Sequence, residues 1–125
     1  MKKDDDKKAQ DALDLYTAHV KYWDDKLGLK NWVKLYESTY QPESAAVEVS
    51  FQERLATFSI GEDRPNTFTI PELARHEALE LLMQDLEETA EVFYSEKYIR
   101  RMVHDAIHRL ENVIPLPKDV EVKKK

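Results

Sequence analysis

The chain opens on a helical rhythm. Leu13, Tyr16, Val20, Trp23 and Leu27 recur at spacings of three and four, so they share one face of a helix over residues 9–27. Gly28 stands just past the last of them, where a glycine ends a helix in left-handed backbone. The rhythm then becomes an alternation. Residues 32–37, Trp-Val-Lys-Leu-Tyr-Glu, alternate and are rich in strand formers. In residues 47–51 Val47, Val49 and Phe51 share a face, and in residues 55–60 Ala56, Phe58 and Ile60 do the same. These runs predict a small, mostly antiparallel sheet of about three strands. Gly61-Glu-Asp-Arg-Pro-Asn66 has the composition of a turn.

Two helices are expected next. Thr69-Ile-Pro-Glu72 matches the S/T-x-x-E capping box, and Pro71 falls in the first turn, where its missing N–H costs little. That helix should run to about Val92. The last one starts at Ser95, a good N-cap, and must end by Pro115. Its apolar stripe is Ile99, Met102, Val103, Ala106, Ile107, Leu110, Val113 and Ile114. The order helix, sheet, helix, helix defines an α+β class.

Composition narrows what such a domain can do. The chain has 125 residues, enough for one core, and no cysteine, which removes disulfides, thiolate metal sites and a cysteine nucleophile. No run approaches the roughly 20 apolar residues of a membrane span. The start, Met-Lys-Lys-Asp-Asp-Asp-Lys-Lys, leads into no apolar stretch, so no signal peptide is expected. With two glycines in all, there is no phosphate-binding glycine loop. The net charge is −6, and both ends are lysine-rich. Residues 1–8 and 118–125 read as charged, flexible tails carrying +1 and +2, which leaves −9 on a single domain over 9–117. An acidic body suits a basic partner or a cation, and does not suit a nucleic-acid binder, which needs a basic footprint.

One turn of the second expected helix carries candidate chemistry. In Arg75-His-Glu-Ala-Leu-Glu80, His76 and Glu80 lie about 40° apart, one turn from each other, and can ligate one cation. Glu77 stands about 100° from His76, so it can reach a water at that cation without being a ligand. This is the logic of the H-E-x-x-H zinc motif, with Glu80 in place of the second His. Carboxylate is an acceptable zinc ligand. The same residues also fit an acidic, solvated face of Glu80, Gln84 and Glu87, with Leu79, Leu82 and Leu86 packed on the other side. A zinc site needs a third protein ligand. His104, on the flank of the last helix's stripe, is the better candidate. His108 is expected to point nearly the opposite way, into solvent, and His19 on the first helix has no such context.

The order of these pieces resembles a known family, the small phage-encoded metallopeptidases of the minimal zincin type, similar to SprT-like proteins. The resemblance covers roughly residues 10–115. It rests on Lys26-Leu-Gly-Leu-Lys-Asn-Trp32, on strands like Ala45-Ala-Val-Glu-Val49 and Ala56-Thr-Phe-Ser-Ile60, on His76-Glu-Ala-Leu-Glu80-Leu-Leu82, and on Ile107-His-Arg-Leu-Glu-Asn112. It implies a zincin-like fold, zinc as cofactor, His76 as first ligand and Glu77 as catalytic base. It further implies a cleft edged by the strand at 55–60, a peptide or protein substrate, and the cytoplasm of a bacterial host. The family has His where Glu80 stands and often an acidic third ligand near position 104, so here the two ligand types would have traded places. Two other functions remain open: a zincin-fold binding module without catalysis, and an acidic inhibitor of a nucleic-acid-binding protein.

Overall fold

A computed structural model describes residues 2–39, 44–62 and 67–123. Six elements follow the expected order: α1 (Lys2–Leu27), β1 (Val33–Thr39), β2 (Ala45–Ser50), β3 (Leu55–Gly61), α2 (Ile70–Ala90) and α3 (Glu96–Val113). The α+β class therefore holds. α1 starts at Lys2, ahead of the expected residue 9. The expected turn at 61–66 lies outside the described residues beyond Glu62. No helix among the described residues is long and apolar enough to cross a membrane.

The first helix ends as its sequence requires. Gly28 takes φ +69°, and the Leu29 N–H donates back to the Asp24 carbonyl at 3.1 Å, a Schellman closure. Tyr16, Val20 and Trp23 are buried on the predicted face. They meet Ala56, Phe58 and Ile60, the buried face of β3, and Leu73, Ala74, Ala78 and Leu81 of α2.

The sheet differs from expectation in two ways. Its strand order is β1-β3-β2. β2 pairs antiparallel with β3, as expected, but β1 pairs with β3 in parallel, so the sheet is mixed. β3 is then the central strand, and residues 55–60 are not the edge of any cleft. Both sides of its backbone are used in ladders, which leaves no row of free N–H and C=O groups for a peptide. The edge on the side of α2 is β2. Alternation along a strand reports which residues share a face, not which strand becomes its neighbour.

β1 also places a charge inward. Lys34 is in register with Ala56 and Tyr36 with Phe58, while Val33 and Leu35 are exposed. The Lys34 ammonium donates to Asp24 Oδ1 at 2.9 Å and to the Leu29 and Trp32 carbonyls at 2.7 and 3.0 Å. A half-buried ammonium with three acceptors is satisfied, and it ties the end of α1 to the start of the sheet.

α2 begins on the expected cap. Thr69 Oγ1 accepts from the Glu72 N–H, and Glu72 Oε1 accepts from the Thr69 N–H at 3.0 Å. The helix is flanked on two sides. One side joins the core with α1 and the sheet. On the other, Leu79 packs with Ile99, Val103 and Ile107 of α3. The α3 stripe is narrower than expected, since Met102 and Val113 are exposed. Leu82 and Leu86 are exposed too and do not pack as expected. Instead Glu80 and Glu87 turn toward α3, and Glu87 is buried 3.7 Å from Arg100. The reading of Glu80 and Glu87 as a solvated acidic face therefore fails.

Candidate metal centre

α2 and α3 form an antiparallel hairpin, so the first turns of α2 face the last turns of α3. Arg75 locks that end by donating from Nη1 to the Ile114 carbonyl at 2.8 Å. Beside this lock lies a cavity of about 470 Å³, lined by His76, Glu77, His104, His108 and Glu111, with Ser44 and Ala45 at the head of β2.

Three of the expected residues meet here. His76 Nε2 stands 3.4 Å from Glu80 Oε1, and His104 Nε2 stands 3.3 Å from the same oxygen. The ligand atoms of His76, Glu80 and His104 all lie within 4.8 Å of one another. Two atoms each about 2.0–2.1 Å from one tetrahedral zinc stand about 3.3–3.4 Å apart, so two of the three separations already have the required length. The donor set also fits by chemistry. Two imidazoles and one carboxylate are a known zinc set that leaves a fourth position open. His19 stays apart, buried on α1, and burial lowers its pKa.

Glu77 lines the same cavity but is buried to 6% exposure. Its Oε2 has no hydrogen-bond partner among the described residues. Burial first, and the neighbouring Glu80 charge second, push its carboxyl up to about 8. In the metal-free protein both effects favour the neutral carboxylic acid. His76 is pushed the same way, up to about 9, by its hydrogen bond to Glu80 and the charges of Glu77, Glu111 and Glu80, against the opposing effect of burial. Glu80 itself is held below the usual range despite its burial, by His76, Glu77 and His104. Without a cation, His76 and Glu77 thus both hold their protons more tightly than usual.

Two residues that sequence reasoning left without a role belong here. Glu111 Oε2 accepts from His76 Nδ1 at 3.0 Å, which leaves Nε2 as the edge turned toward Glu80 and His104. A carboxylate behind a ligating histidine fixes its tautomer and ring orientation. Glu111 Oε1 accepts from His108 Nδ1 at 3.1 Å. His108 is exposed, as expected, but it does not point away from the site. Its ring centroid is 5.8 Å from that of His76 and 6.2 Å from that of His104. Four residues of α-helix advance the side chain by only about 40°, so His104 and His108 share a face, and Glu111 closes the same face three residues later. That spacing was the signal present in the sequence.

The chain matches no family model, no curated protein and no solved structure.

Proposed function

We propose that this protein is a zinc-dependent hydrolase of the minimal zincin type, acting on peptide bonds. The observation that carries the reading is the separation of His76 Nε2 and His104 Nε2 from one Glu80 oxygen, 3.4 and 3.3 Å, with Glu77 lining the same cavity. His76, Glu80 and His104 would hold the ion, and Glu111 would keep Nε2 of His76 aimed at it. When bound, zinc supplies a Lewis acid that acidifies water and polarises a carbonyl. Burial and the Glu80 charge both favour a protonated Glu77; with Glu80 engaged in holding a dication, the second of these would weaken and Glu77 would serve more readily as the carboxylate of a general base. Glu77 would then take the proton of a water in the cavity and deliver it to the leaving amine nitrogen. β2, an edge strand whose first residue lines the cavity, offers backbone groups to an extended peptide.

Elemental analysis of the purified chain tests the reading. Near-stoichiometric zinc is expected, lost in His76→Ala. Glu77→Gln should retain zinc and lose peptidase turnover by about 10²-fold or more. Full turnover in Glu77→Gln would overturn the mechanism. Zinc without turnover on any peptide would favour the second reading, a binding module that kept the fold and lost catalysis. The acidic body, at −9, supports a basic protein as its partner. In either case the family resemblance supports a phage-encoded protein working in the host cytoplasm.

A further inference from the structure

His76 stands between two ligand sets of the same composition. The inner set is the one described above. The outer set is His76, His108 and Glu111, whose ligand atoms also lie within 4.8 Å of one another. The two oxygens of Glu111 are divided between two rings, Oε2 on His76 Nδ1 at 3.0 Å and Oε1 on His108 Nδ1 at 3.1 Å. One carboxylate therefore gathers two imidazole nitrogens at the cavity mouth. We propose that the cleft holds a second, outer divalent cation, bound by His108, Glu111 and the Nδ1 edge of the same His76 ring whose Nε2 edge faces the inner position. The proposal rests on the inner position being a metal site.

The two sets differ in their surroundings. The Glu80 side chain is 16% exposed and that of His108 is 66% exposed. The outer ion keeps more water and is held more weakly, and ions that accept imidazole and carboxylate together, such as zinc or copper(II), suit it. The binding balances simply. The Nδ1 proton of His76 leaves to the buffer, so the ring is shared as an imidazolate between two ions. His108 needs only to carry its proton on Nε2. The hydrogen bonds of Glu111 to both rings are exchanged for bonds to the ion. At separations of 3.0 and 3.1 Å, the nitrogens need open only slightly to reach the spacing of zinc ligands.

Native mass spectrometry and calorimetric titration of the full chain with zinc chloride test this. Two equivalents are expected, the second roughly tenfold or more weaker and releasing about one additional proton when buffers of different ionisation enthalpy are compared. His108→Ala should lose the second equivalent and keep the first, with an unchanged thermal melt before zinc is added. A single equivalent in the wild-type chain, kept in His108→Ala and lost in His104→Ala, would overturn the outer position and leave the inner one standing. Two equivalents undiminished in His108→Ala would overturn it as well. No zinc at all would overturn both.

Discussion

The two halves of the candidate centre rest on unequal foundations. Among the described residues, twelve buried side chains from α1, the connection after it, the sheet and α2, Tyr16 and Phe58 among them, form one core, and they fix the face of α2 that carries Glu77. On the other side, only Leu79, Ile99, Val103 and Ile107 form the buried cluster between α2 and α3. His76, Glu77 and Glu80 therefore stand on a firmly packed helix, while His104 and Glu111 stand on a thinly packed one. The polar links across the hairpin, Arg75 to Ile114 and Glu111 to His76, add to a small apolar contact. A cation shared by α2 and α3 would fasten the weaker half to the stronger.

The largest effect should come from breaking the strong half. Phe58→Ala removes a fully buried ring between Tyr16 and Tyr36 and should cost about 3–5 kcal/mol, read as a loss of the whole denaturation transition. Ile107→Ala should cost about 2–3 kcal/mol, near the low end for such a truncation because a small cluster collapses readily. Its signature is local: amide exchange should speed up across α3 and stay unchanged in β3. Equal acceleration in β3 would mean that the two clusters unfold as one.

Metal and pH sharpen the same contrast. Zinc at about a hundredfold above its dissociation constant should stabilise the chain by about 2.7 kcal/mol, and exchange protection should rise mostly in α3. In metal-free protein the sign of the pH dependence is set by protons held more tightly in the folded state. His76, raised from 6.5 to about 9, contributes fully below pH 6.5 and loses that contribution as pH rises through 9. Glu77, raised from 4.5 to about 8, acts in the same direction between those values. Melting temperature in chelator should therefore fall from pH 6.5 to pH 9, and zinc should reverse the trend, because the ion competes with the His76 proton and binds better as pH rises. A rising melt in chelator would contradict the proton inventory of the centre.

The smallest effect lies farthest from the hairpin. Gly28→Ala meets no steric obstacle, but it forces a side chain into left-handed backbone and should cost about 1 kcal/mol, with no change in zinc affinity. A loss of affinity would show that the end of α1 communicates with the centre.

Much of this was written in local pattern. The faces of α1 and β3, the caps at Thr69 and Ser95, the glycine stop and the order of elements all follow from residues close in sequence, because capping, periodicity and turn chemistry are short-range. The pair His76 and Glu80 was legible for the same reason. Strand partners were not: β1 and β2 meet β3 from opposite sides, and nothing local distinguishes a central strand from an edge. The inward Lys34 was equally hidden, because its acceptors lie on the end of α1 and in the following loop. His104 could be proposed from its flank position, yet its distance to Glu80 is a property of the hairpin alone. His108 and Glu111 share a helical face that the spacing already encoded, but only the crossing of α2 and α3 gave that face something to act on. The sequence by itself determined which groups could bind a cation. The packing of one helix against another decided which of them stand close enough to do so.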